Sequence, residues 1–291
     1  MSSVSSINTN RNDNKLRNAA IGTAAVVAAW EAEPYLKRGF FYQARNYIRS
    51  GMKKVNGGGY LPYLERAIKQ NNLEKSFKVL DLNYSTESNV RKTLGMKGKP
   101  SLARRVFCHI MRLPATMDVS FQSTLRGENA FFSPKHNAIV CNFDKFGAPA
   151  FHEISHKLNT KSSNFLVKTL SKIRNPMAYL GTFAVSAIAV LKDPKKEGEK
   201  PEGFTDYVKK YCGLAATGMM LPLTIEECIA NVKGTKVAQK AGVTGSLLNK
   251  VKKCHKLSVI SYCSGAIVTG LAVQAASELR DFICKYKSSD K

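Results

Sequence analysis

The chain is short of acid. Asp and Glu number 21 against 45 Lys and Arg, a formal net charge of +24 over 291 residues. Acid is absent altogether from Asn89 to Met117 and again from Cys228 to Ser277. A surface of that sign seeks anionic company, whether phospholipid head groups, nucleic acid or acidic partners. The features that would select nucleic acid are missing: one Trp among scattered Tyr and Phe makes no stacking platform, and there is no recognisable binding module. The seven cysteines are odd in number and contain no C-x-x-C, so nothing points to a thiolate-ligated zinc or a dithiol redox centre. Several lie in apolar runs, where a thiol packs as a small hydrophobe, as fits a reducing compartment. There is no internal repeat. The hydrophobic fraction, 44%, is ordinary; it excludes wholesale disorder and leaves room for one domain with appendages or two small ones.

Residues 1–34 form a polar, Ser- and Asn-rich lead and a short uncharged stretch from Asn18 to Trp30. That stretch is too short to span a bilayer as a helix, and its lead is too polar for a signal peptide, so a buried or amphipathic helix is expected. Residues 35–117 are basic. Within them 35–80 reads as helical, broken at Gly57-Gly58-Gly59, with Leu61, Leu64, Ala67 and Ile68 at helical spacing. Arg91, Lys92, Lys97, Lys99, Arg104, Arg105 and Arg112 are expected on a solvated cationic face. The texture then changes. Val119 and Phe121, Ala130-Phe131-Phe132, and Ala138-Ile139-Val140-Cys141 are short apolar runs separated by Gly127, Pro134 and Asn137, the pattern of two or three short strands. Gly147 and Pro149 close that region and open a helix.

Three later segments carry no charge: 175–191, 211–225 and 257–277. A spanning helix needs roughly 17–25 apolar residues, so the first is borderline, the second short and the third long enough. Lys233, Lys236, Lys240, Lys250, Lys252, Lys253 and Lys256 crowd ahead of the third, a bias that marks a cytoplasmic side.

The helix after Pro149 carries Phe151-His152-Glu153-Ile154-Ser155-His156, an H-E-x-x-H. Positions i and i+4 share a helix face, so both imidazoles can reach one metal ion. Glu153 is rotated by about 100° from His152 and can approach a metal-held water instead of ligating. Zinc lowers the pKa of such a water to about 7, and a carboxylate can take its proton as a carbonyl is attacked. At this composition, chance yields the motif on the order of 0.4% of the time. His109, His136 and His255 stand alone and read as incidental. A catalytic zinc takes three protein ligands, and the third is sought in Thr224-Ile225-Glu226-Glu227-Cys228-Ile229-Ala230-Asn231, where two adjacent glutamates compete.

This arrangement resembles the membrane-associated zinc metallopeptidases of the HtpX and CAAX-prenyl-protease type, a gluzincin-like family. Members have an Asn-Ala-Phe strand, a hydrophobic strand, H-E-x-x-H, apolar helices and then E-x-x-A-D. Here stand Asn129-Ala130-Phe131, Ala138-Ile139-Val140, the motif, apolar segments, and Glu227-x-x-Ala230-Asn231. Order and spacing agree over roughly residues 119–241. The resemblance makes Glu227 the third ligand and places Asn231 where it can accept a hydrogen bond from a ligating imidazole, whereas Glu226 as ligand would put Ala230 in that polar position, where it could support nothing. Two positions depart from the family: Ser155 replaces a Gly, and Asn231 replaces the Asp, which removes a charge from behind that imidazole.

The expected fold is thus α+β: a mostly helical, zincin-like metallopeptidase domain with a small antiparallel sheet and apolar helices, at least one long enough to be transmembrane. The metallopeptidase domain covers 118–245 with an apolar hairpin at 175–225, and 246–291 supplies a C-terminal apolar helix. The expected activity is hydrolysis of a polypeptide docked by strand addition along Asn129, Ala130 and Phe131, with one Zn2+ per chain, at an anionic membrane and on its cytoplasmic side. The rival reading is a non-catalytic, basic, membrane-associated or scaffold protein that keeps a relict metal site. Purified protein should carry about one zinc per chain by elemental analysis, and changing both His152 and His156 to Ala should abolish it; full retention would remove the motif from the site.

Overall fold

A computed structural model describes residues 42–83, 87–96, 117–193 and 199–289, with Arg17, Ala20, Ile21, Ala24 and Leu102 as isolated positions. The helix expected within 18–30, His109 and most of the cationic stretch at 97–116 lie outside the described residues. In chain order the elements are α1 (Tyr42–Lys53), α2 (Leu61–Gln70), β1 (Lys78–Asp81), α3 (Glu87–Thr93), α4 (Met117–Leu125), β2 (Phe131–Ser133), β3 (Ala138–Cys141), α5 (Phe143–Phe146), α6 (Ala150–Thr160), α7 (Phe165–Pro176), a π turn (Met177–Gly181), α8 (Thr182–Leu191), α9 (Phe204–Lys210), α10 (Cys212–Lys240) and α11 (Gly245–Ser289). They divide into two compact units. One comprises Gln43–Arg174 and Pro222–Cys263; the other comprises Met1–Tyr42, Asn175–Leu221 and Ser264–Lys291.

The first unit is organised by β3, the middle strand of a three-stranded sheet ordered β1-β3-β2. Its four residues are all buried, as a strand covered on both faces requires. Alternation sorts them. Ile139 and Cys141 join the larger core with Tyr60, Phe143, Phe151 and Ile154, whereas Ala138 and Val140 join a smaller one with Val90, Leu94 and Phe121. Each large apolar side chain so buried contributes roughly 1.5–3 kcal/mol. The turn from β2 to β3 closes with Asn137 N–H donating to Pro134 O and with Asn137 at φ +47°, left-handed backbone that Asn tolerates.

Three expectations change here. The sheet is mixed rather than antiparallel: β2 pairs antiparallel with β3, but β1 pairs with it in parallel, Lys78 opposite Ala138 and Asp81 opposite Cys141. β1 itself lies in the stretch read as wholly helical. The run from Met117 is a helix, α4, and not a strand; a short apolar run has no periodicity of its own, and its packing against β3 settles the matter.

Helix α6 begins after Pro149, whose carbonyl accepts from Glu153 N–H at 3.1 Å. Every residue from Ala150 to His156 is buried, so α6 has no solvated face along the motif. Ser155, where the family has Gly, turns its hydroxyl back to Phe151 O at 2.9 Å and so adds no unsatisfied polar group. Helix α10 comes against α6 at Gly234. A Cβ there would lie 2.8 Å from Phe151 O and 3.0 Å from His152 N.

The second unit is helical. Val185, Ala189, Val208, Cys212, Ala216 and Val273 make its core. Lys209 is buried within it and its Nζ is saturated by Ala189 O at 2.6 Å, Ser277 Oγ at 2.9 Å and Asp281 Oδ1 at 2.8 Å. Pro176 cannot sustain a regular helical ladder, and the chain passes through the single π turn before α8. Two helices, Cys212–Lys240 and Gly245–Cys284, are long and apolar enough to cross a membrane; only 28% and 33% of their apolar windows is buried by protein.

The approach at Gly234 is testable against a neighbour on its own helix. Gly234→Ala should lower the melting temperature, because overpacking of about 1–3 kcal/mol exceeds a helix-propensity gain of about 1 kcal/mol. Gly218→Ala, with nothing within 4 Å of the new Cβ, should hold or raise it. Equal melting of the two variants would mean that α10 does not need Gly at 234.

Candidate metal centre

Helix periodicity sets the two imidazoles on one side of α6, with ring centroids 4.5 Å apart and Nε2 atoms 2.9 Å apart. Both Nδ1 atoms are engaged elsewhere. His152 Nδ1 donates to Asn231 Oδ1 at 2.9 Å, and His156 Nδ1 donates to Glu226 at 3.0–3.1 Å. With the Nδ1 positions protonated, both Nε2 atoms present lone pairs, and they face each other. Glu227 Oε2 completes the convergence, buried, at 2.9 Å from His152 Nε2 and 3.5 Å from His156 Nε2. Gathered this closely, the two Nε2 atoms and the carboxylate oxygen need a shared proton or a cation between them. In tetrahedral zinc with Zn–N near 2.1 Å, donors lie about 3.4 Å apart, close to the spacing here. The buried group His152, His156 and Glu227 could therefore hold a metal ion.

The electrostatics favour positive charge at that point. Burial opposes an imidazolium at His156, yet its hydrogen bonds to Glu226 and Glu227 outweigh burial, and the pKa is pushed up to about 10. Burial also drives the Glu153 carboxyl above its ordinary range, against the pull of His152 and His156 and with help from Glu227. A base tuned upward is better matched to proton transfer near neutrality.

Other neighbours escaped the sequence reading. Glu226, passed over as the third ligand, is fully buried; besides meeting His156 it accepts from Asn159 Nδ2 at 2.9 Å. Arg174, from α7, bonds Glu226 and reaches Glu227 Oε1 at 2.8 Å, so its guanidinium turns the other Glu227 oxygen toward the imidazoles. Nothing local distinguishes it from the other basic residues of its helix. His255, read as incidental, lies 6.0 Å from the His152 ring, centroid to centroid, with Nδ1 2.7 Å from Thr235 Oγ1 and Nε2 buried without a partner among the described residues. Its distance in sequence concealed it. His136 stays apart, bonded to Ser133 in the β2–β3 turn.

Of the expected docking residues, only Phe131 belongs to β2, which lies at the edge of the described sheet; Ala130 is in the core and Asn129 is exposed ahead of the strand. β2 and β3 both pack on α6, which puts the sheet beside the candidate centre.

No protein-family model, curated protein or solved structure matches the chain. The geometry instead predicts a graded response in a competition titration against a zinc chelator. Glu227→Ala should lose the most affinity. Glu226→Ala should also lose affinity, on the order of 10–100-fold, because His156 loses its orienting partner. Asn231→Asp should tighten binding by restoring charge behind His152. Unchanged affinity in Glu226→Ala would make that glutamate a mere packing residue.

Proposed function

We propose that this chain is a zinc-dependent metalloendopeptidase, membrane-associated, with its hydrolytic centre on the cytoplasmic side. The observation that carries the reading is the buried convergence of His152, His156 and Glu227, with the non-ligating Glu153 on the same turn of α6. The donor set is that of a two-histidine, one-carboxylate zinc site with an open fourth position. With both imidazoles neutral, as metal ligation requires, three buried carboxylates (Glu153, Glu226 and Glu227) stand against one guanidinium, Arg174, an imbalance that a divalent cation offsets.

When bound, zinc supplies Lewis acidity at a scissile carbonyl and lowers the pKa of water toward neutrality. Glu153 takes the proton of the attacking water and passes it to the leaving amine. Asn231 and Glu226 hold the imidazoles in one tautomer and orientation, and Arg174 aims Glu227. β2, at the edge of the described sheet, offers main-chain hydrogen bonds to an extended polypeptide. Membrane association is supported by the two long apolar helices, mostly uncovered by protein, and the cytoplasmic side by the lysines that precede 257–277.

Glu153→Gln should keep its zinc and lose peptide or casein cleavage in detergent by about 10²–10⁴-fold, the usual worth of a general base. Cleavage at the parent rate would refute the mechanism. If neither protein cleaves and both hold zinc, the relict-site reading replaces it.

A further inference from the structure

Helix α7 leaves its outer surface uncovered by the described residues. None of its residues is buried; Phe165 and Leu166 are 76% and 68% exposed, and Lys168 and Lys172 are exposed on the turns that follow. Exposed Leu or Phe alone is unremarkable on a protein surface, but two adjacent ones opening a short helix with lysines behind them form an amphipathic pattern. The charge around them has one sign. From Lys145 to Lys192 the sole acid is Glu153, which is buried, while Lys145, Lys157, Lys161, Lys168 and Lys172 are basic. The chain runs from α7 directly into uncharged residues whose exposed members include Leu180, Phe183 and Leu191.

An acidic peptide would engage the lysines and leave Phe165 and Leu166 in water. A bilayer surface takes both: apolar side chains enter the acyl boundary while lysines snorkel to lipid phosphates. We propose that α7 is an interfacial helix that docks on an anionic bilayer surface through Phe165 and Leu166 inserted and Lys168 and Lys172 at the head groups. The proposal rests on membrane association and adds where the unit bearing α6 touches the lipid. Because α7 also carries Arg174, the docked helix is the one that aims Glu227, and substrates are drawn from chain segments lying at the bilayer surface.

The test uses the full chain in nanodiscs, with Trp30→Phe removing the natural tryptophan and Phe165→Trp reporting from the helix. In discs containing phosphatidylserine, emission should shift to the blue and be quenched by acyl-brominated lipid. In pure phosphatidylcholine, quenching should be weak. Lys168→Gln with Lys172→Gln should lower the docked-to-undocked ratio on the order of 30-fold. A second reporter, Leu166→Trp, guards against one side chain being misplaced. Absence of quenching at both positions in anionic discs overturns the proposal. So does an emission shift of the Phe165→Trp reporter caused by polyglutamate in detergent without any lipid effect, which would assign the face to an acidic protein partner. Carbonate extraction of membranes separates this outcome from the broader reading: protein that stays in the pellet without quenching at α7 is membrane-bound by other segments, and protein that is released was never held there.

Discussion

The structure turns on the burial of carboxylates and imidazoles away from water. A lone ionised group in such a place is opposed by several kcal/mol of desolvation, and a buried pair is stable only when its remaining hydrogen-bonding positions are filled. Here the positions away from the centre are filled one by one: Asn231 on His152, Glu226 on His156, Arg174 and Asn159 on Glu226. What remains is turned inward, two Nε2 lone pairs and Glu227 Oε2. With most of the periphery engaged and these three groups converging, the centre could hold a metal ion.

The rest of the unit serves that constraint. A helix buried on every side of its motif needs a rigid floor, and β3 provides one by placing alternate side chains in two cores, one of them shared with Phe151 and Ile154. It also needs a partner helix close enough for Glu227 and Asn231 to reach its histidines. Gly234 allows that approach two turns beyond Glu227, where any side chain would meet α6 backbone. The ladder Glu227, Asn231, Thr235 then runs along one face of α10, and Thr235 carries the contact on to His255. The second unit solves its own burial problem, with Lys209 enclosed and its ammonium fully bonded.

Charge and hydrophobicity also divide the labour. The positive excess is spread over exposed lysines, each worth little to stability in isolation but additive as a field toward an anionic surface. The long apolar helices and α7 leave large hydrophobic side chains uncovered, which is unfavourable in water and favourable at lipid. The same helix, α7, presents its lysines outward and its Arg174 inward, so a basic stretch uniform in sequence has two roles in space.

The sequence alone determined whatever depends on local spacing. Histidines four apart must share a helix face, a glutamate next to one of them must point elsewhere, and uncharged runs of 17 to 21 residues must find apolar surroundings. Glu227 and Asn231 sit one turn apart, but it was the resemblance to E-x-x-A-D, and not spacing alone, that singled them out. Tertiary structure decided whatever depends on contact between distant residues. Lys78–Asp81 became a strand because β3 offered it a parallel partner, and Met117–Leu125 a helix because its packing surface was elsewhere in the chain. Glu226, Arg174 and His255 entered the site by the same route. A glutamate beside a ligand, an arginine among lysines and a solitary histidine have no local signature, since burial and partners are properties of the folded chain.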